Sequence, residues 1–325
     1  MVYKLRQGGD RGVRPPSWVK GGGRGFRPSS LIGFRDRKAV TMKATAWRTL
    51  GALAGAVGGV ALGLGITKGF GSGFLLGLLA LLGLIVLSVV LYLVARTQTT
   101  AGKPAGEFMP GLLLGVNTAV NGVLLATIFG PVAIVICVIP ALAVIEPVAR
   151  SDIYQAFLGW GNVLLPMSWP IVGLGLLFLL VSGILALINL AIHSSFLKIE
   201  KLKLSAKTGT AFLVGGLAGN GNLSSGSTGY NMGNIAFLTS GKATDAYLVE
   251  HESGHTLNLG IWGAIVHLIG ALDENVFGGG AGAYTELLAE SNVPPSSRQH
   301  TKVFPMWGEL IAAPATAPTP LATPA

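Results

Sequence analysis

Within the first 197 residues, four stretches of 19 or more contain no Asp, Glu, Lys or Arg: residues 49–67, 69–95, 108–145 and 153–197. A helix that crosses a bilayer needs about 20 apolar residues, and soluble helices rarely run that far without a charge. The first two stretches fit one span each, joined by a tight turn around Lys68 and Gly69. The third holds either two short spans broken near Pro131 or one span and a re-entrant piece around Pro140. The fourth holds a span best placed at 170–191, and Trp160, Pro166 and Trp169 ahead of it suit an interfacial segment. About four transmembrane helices are expected over residues 49–195, six being the other even count considered.

Composition agrees. Half of the residues are hydrophobic and 11% are charged, against about 25% in a soluble domain. Lipid is therefore the expected solvent for much of the surface. The net charge of +9 belongs to one arm, because residues 1–48 carry twelve Lys/Arg against two Asp. Rich in Gly, Arg, Pro and Ser, residues 1–41 read as disordered. A block of like charge is ordinarily a solvated tail that helps set topology. The alternative reading is an arm that touches anionic lipid or, less expected, nucleic acid. The basic flank before residue 49 and the lysines 198, 201, 203 and 207 after the last span both belong on the cytoplasmic side. A second apolar run follows the first at once, so the first reads as a retained anchor rather than a cleaved signal. The single cysteine, Cys137, excludes a disulfide within one chain and a cysteine-based zinc site.

From about residue 196 the texture changes. Residues 196–204 alternate apolar and charged, as a half-exposed strand does, and 208–217 and 235–239 read as further strands around a Gly/Ser/Asn loop at 219–229. A small α+β domain is expected over 196–310, followed by an Ala/Pro/Thr-rich disordered tail at 311–325. Asn117, Asn121, Asn162 and Asn189 lie within apolar runs, where hydrogen bonding between helices is their expected use.

The sharpest chemical signal is His251-Glu252-Ser253-Gly254-His255. Thr244 or Asp245 can cap a helix through 246–257. On that helix the two histidines lie four apart on one face, a spacing that lets two imidazoles close on one zinc ion. Glu252 beside them can polarise a metal-bound water. A third ligand is required, and two carboxylates compete for it. Glu286 lies in the helical stretch Thr285-Glu286-Leu287-Leu288-Ala289-Glu290; Glu274 lies nearer, in Leu272-Asp273-Glu274-Asn275. Between His255 and Glu274, residues 259–272 are uncharged and too short for a span, and His267 within them reads as a hydrogen-bonded core histidine.

His-Glu-x-x-His followed by a helix with Glu-x-x-Ala-Glu resembles the gluzincin clan of zinc metallopeptidases. The resemblance covers about residues 245–292. It implies a zincin-like fold, Zn2+ held by His251, His255 and Glu286, Glu252 as general base, and Glu290 orienting a ligand histidine. The gap from His255 to Glu286 is longer than in compact members of the clan, whereas Glu274 has the shorter gap without the helical context. The plan of a membrane anchor with such a domain is similar to membrane-bound heat-shock-type metallopeptidases. In that clan an edge strand beside the metal helix binds extended substrate, which implies such a role for 235–239. An oxyanion donor is also expected, with His267 and Tyr284 as candidates. Asp245 and Glu250 flank the motif, and strand and loop precede it, so the site is expected at the membrane surface rather than inside a span.

The expected architecture is thus an α-helical multi-pass membrane region followed by a small α+β zincin-like metallohydrolase domain. The expected activity is hydrolysis of a peptide or protein substrate at the cytoplasmic membrane surface. The competing expectation is a non-catalytic membrane scaffold with a structural or vestigial metal site. A transporter ranks last, because the spans carry none of the charges common at coupled-transport sites.

Overall fold

The computed structural model describes residues 30–98, 104–221, 228–299 and 306–307. The expected tail at 311–325 and most of the basic arm, residues 1–29, lie outside these. Residues Ala39–Ala325 cluster as one compact unit.

Seven helices precede the sheet: α1 (Ser30–Ser72), α2 (Phe74–Thr97), α3 (Pro104–Phe129), α4 (Val132–Ala141), α5 (Glu146–Ala149), α6 (Asp152–Gly161) and α7 (Trp169–Ile192). Glycine lets the first three approach closely. On α1, a Cβ at Gly51, Gly55 or Gly59 would meet the backbone carbonyls of Phe108, Leu112 and Val116 on α3. From the other side, Gly111 and Gly115 of α3 face the carbonyls of Arg48 and Ala52. This four-residue spacing of small residues brings two helix backbones together where no water drives association. The turn from α1 to α2 is at Gly73, a few residues beyond the expected Lys68 and Gly69, and its amide donates to the Gly69 carbonyl (2.7 Å). The third charge-free stretch is one long helix and one short one, broken at Gly130 and Pro131.

Helix α1 begins well before residue 49, which corrects the expected extent of the disordered arm. Arg48, counted with that arm, is buried against Glu107 of α3 (2.6 Å). A buried guanidinium is tolerated only with a partner, and the close α1–α3 crossing supplies one. Glu146 and Arg150 form a second ion pair nearby, and both also feel the charges of Arg48 and Glu107.

Four strands follow: β1 (Ile199–Ser205), β2 (Thr210–Gly215), β3 (Gly229–Met232) and β4 (Ile235–Leu238), with the short α8 (Gly216–Asn220) between β2 and β3. Their order in the sheet is β1-β2-β4-β3; β2 and β4 run parallel and the other pairs antiparallel. The strand expected at 235–239 is therefore interior, and the edge beside the motif helix is β3. The reason lies in its burial: all four residues of β4 are buried, as an inner strand requires. Helix α7 covers the sheet with one face, through Val172 on Gly233, Phe178 on Phe237 and Ser182 on the amide of Ala218. Its opposite face, including Leu176, Leu180, Leu187 and Leu190, is exposed.

The last two helices are α9 (Ala246–Asn275) and α10 (Tyr284–Glu290). By length and composition, five helical segments could cross a membrane: Met42–Ser72, Phe74–Thr97, Pro104–Phe129, Pro166–Ile192 and Ala246–Asn275. The exposed leucines and valines along α1, α2 and α7 give the molecule an apolar surface suited to a bilayer. The last of the five differs from the rest. At Gly263 the backbone of α9 leaves the helical region (φ 74, ψ 176), a conformation open to glycine and strained for other residues. Each limb of α9 is thus shorter than the roughly 20 residues that a span needs.

The break frees carbonyls that a continuous helix would have satisfied internally. Asn117 of α3 donates to Ile261 O (2.7 Å), and Ser168 donates to Leu259 O (3.4 Å). Asn162 donates to Thr256 O (2.8 Å), and the Oδ1 of Asn121 accepts from the amide of Met167 (2.9 Å). Asn117, Asn121 and Asn162 thus bind elements together, as expected, whereas Asn189 accepts from the Ser194 amide just past the end of its own helix (2.6 Å). A core of Tyr92, Leu113, Ile261, Trp262, Leu288 and Trp307 joins α2, α3, α9 and α10.

Candidate metal centre

The first limb of α9 starts at Asp245, whose Oδ1 caps the amide of Leu248 (3.3 Å). One turn further on, His251 and His255 share a face, and that face meets α10. The meeting is close because Gly254 lies between the histidines, where a Cβ would strike the carbonyl of Ala289. Gly270 on the second limb leaves room for the Thr285 side chain, while Asn258 donates to Thr285 O (3.2 Å) and accepts from the Trp307 indole (2.7 Å). Helix α10 is therefore held by both limbs.

This contact delivers Glu286 to the histidines. Its Oε2 lies 3.0 Å from His251 Nε2 and its Oε1 3.1 Å from His255 Nε2, and the two Nε2 atoms are 3.3 Å apart. One ligand atom from each of His251, His255 and Glu286 lies within 4.8 Å of the others, and all three residues are buried. Among the described residues this is the group able to hold a metal ion. Burial alone would raise the Glu286 carboxyl, yet the facing His255 and His251 imidazoles hold it well below the usual carboxylate range. It is thus a ready anionic donor.

The next layer is equally ordered. Glu290 Oε2 lies 3.1 Å from His251 Nδ1 and accepts from the Tyr247 hydroxyl (2.9 Å); its Oε1 accepts from the Gln299 amide (2.6 Å). Burial opposes ionisation of Glu290, but these three partners hold its carboxyl below its ordinary value. With an ionised Glu290 against Nδ1, His251 keeps a proton there, so a metal ion could take the place of the proton between its Nε2 and Glu286.

Glu252 is also buried, and its Oε2 has no hydrogen-bond partner among the described residues. A buried carboxylate oxygen left in that state calls for a water or an ion. Two imidazoles and one carboxylate are a donor set able to hold a divalent metal ion, with the Glu252 acid beside them.

Other candidates separate clearly. Glu274 stands on the second limb of α9, outside the converging group, and hydrogen-bonds its neighbour Asn275 (3.1 Å). Tyr284 packs edge-on against Tyr92 of α2 (5.8 Å between centroids). His267 is the unexpected arrival. In a straight helix it would lie about 18 Å along the axis from His255, yet the ring centroids are 6.0 Å apart. The reversal at Gly263 folds it back, and its Nε2 lies 3.2 Å from the carbonyl of Asn231 on β3. Asn231 also donates to Glu252 O (2.9 Å) and Thr256 Oγ1 (3.0 Å), which ties the sheet edge to the motif helix. The signal for this was the glycine at 263 within an apolar run. Compared with known proteins, the chain matches no protein-family model, no curated protein and no solved structure.

Proposed function

We propose that the chain is a membrane-bound zinc-dependent peptidase of gluzincin type. The observation that carries this reading is the convergence of His251, His255 and Glu286, with Glu290 and Tyr247 behind His251 and the unpaired Glu252 carboxylate alongside. Bound zinc would supply Lewis acidity, polarising a carbonyl oxygen and lowering the pKa of a water to about 7.

The protein's own residues do the rest. Two neutral imidazoles and the Glu286 carboxylate hold the ion, and Glu290 fixes the tautomer of His251. Glu252 takes the proton of the attacking water and then delivers it to the leaving amine. Edge strand β3 lies beside α9 and offers backbone groups that extended substrate can pair with. Of the two expected oxyanion donors, His267 lies nearer the centre, but its Nε2 proton is already given to the Asn231 carbonyl. We place α1, α2, α3 and α7 across the bilayer, with the N-terminus and the metal centre on the cytoplasmic side, from the basic flanks of the apolar segments.

Metal content and activity of the full chain in detergent test this reading. About one zinc per chain is expected in the wild type and none in His255→Ala. Glu252→Gln should keep its zinc and its fold while hydrolysis of a casein-type substrate falls about a hundred- to ten-thousand-fold. A zinc-free wild-type protein after reconstitution would sink the hydrolase reading. Unchanged function in Glu252→Gln would favour a scaffold with a structural metal.

A further inference from the structure

The seating of Glu286 leaves Glu274 as a carboxylate beside the metal centre without an assigned task. On the second limb of α9, His267, Gly270 and Glu274 fall on one face of the helix. The first meets His255 and the second packs against Thr285, the residue before Glu286. Glu274 continues that stripe by one turn, close enough to interact electrostatically with Glu286, His255 and Glu252.

Its neighbour Asp273 is satisfied on the opposite side, where Arg96 (2.7 Å) and Tyr92 (2.9 Å) of α2 hold it. No lysine or arginine among the described residues forms an ion pair with Glu274. It is half-buried, with Ala271, Val276 and Phe277 exposed around it. A carboxylate facing two other carboxylates is unfavourable until a cation joins them. A metal at the histidines would neutralise Glu286, and the buried, unpaired Oε2 of Glu252 marks where the reacting group sits. Glu274 then remains at the accessible rim, its carboxyl pushed up to about 7 by burial and by the Glu286 and Glu252 charges, and a cation beside it would favour the ionised form. A second metal ion would need further donors, and among the described residues no second group offers them. A substrate ammonium group needs only the one carboxylate and water.

We propose that Glu274 anchors an ammonium group of the substrate beside the metal centre. The peptide bond cut is then chosen by its distance from a positive charge. This rests on the metallopeptidase reading. The ammonium is either the free N-terminus of a peptide or a lysine side chain, and three zinc-binding probes tell these apart.

The zinc-loaded full chain in detergent is titrated calorimetrically with leucine hydroxamate, N-acetyl-leucine hydroxamate and N-acetyl-lysine hydroxamate. One ammonium-bearing probe should bind about tenfold more tightly than N-acetyl-leucine hydroxamate, as a charge-assisted contact allows. Leucine hydroxamate in that place identifies an N-terminal anchor, and N-acetyl-lysine hydroxamate a side-chain anchor. Glu274→Gln should abolish the preference and keep about one zinc per chain; Glu274→Ala serves the same comparison if the first variant does not fold. Equal binding of all three probes by the wild type overturns the anchor and leaves the metal centre standing. So does a preference that survives in the variant, and so does loss of zinc, which would make Glu274 a ligand. If no hydroxamate binds the zinc-loaded wild type, the anchor and the hydrolase reading fall together.

Discussion

Helix α1 crosses α3, and α9 crosses α10, through the same device: glycines that let one backbone touch another. Their contents are opposite. At the α1–α3 crossing the contact is backbone on backbone, flanked by exposed leucines and valines, with the Arg48–Glu107 pair at one end. At the α9–α10 crossing the glycines bring together two imidazoles and two carboxylates. Close approach holds helices together where the surroundings are as apolar as the side chains. The same approach, moved to a crossing that carries His and Glu, removes water from polar groups and fixes their separation. What differs is which residues sit beside the small ones.

The sharpest way to separate the two crossings is to remove charge from the first. Arg48→Ala leaves Glu107 buried without this partner and should cost about 3–5 kcal/mol of stability, read by denaturation in detergent. Zinc per folded chain should not change. Next, Gly55→Ala and Gly254→Ala each force a methyl group into a backbone carbonyl and should cost about 1–3 kcal/mol. Only the second should also weaken zinc binding, because only it pushes Glu286 away from the histidines. Equal loss of zinc in both would mean that the crossings are one mechanical unit. The smallest effect belongs to Tyr247→Phe, which deletes one hydrogen bond to Glu290 worth about 0.5–1.5 kcal/mol. Zinc affinity should drop by less than about tenfold, with stability nearly unaffected.

Much of this was legible in the chain itself. Charge-free runs announced α1, α2, α3 and α7, because lipid demands long apolar helices. The resemblance to gluzincins implied Glu286 and Glu290 as partners of the histidines, whereas spacing alone left Glu286 and Glu274 as alternatives. Three things could not be read. Arg48 looks like the end of a basic arm until Glu107, far along the chain, is seen beside it. The parallel pairing of β2 with β4 is long-range and leaves no local mark, so the edge strand fell to the wrong segment. Gly263 is one glycine among several in an apolar run, and its reversal is supported by the Asn117 amide and the Ser168 hydroxyl from distant parts of the chain.

That reversal also orders the birth of the site in time. The ribosome delivers Asn117, Asn162 and Ser168 before Gly263, so the groups that support the bent helix are in place before the bend is made. Glu286 emerges later still, and Glu290 and Trp307 follow it. An unfinished chain therefore carries both histidines of the candidate metal group before Glu286 has been made.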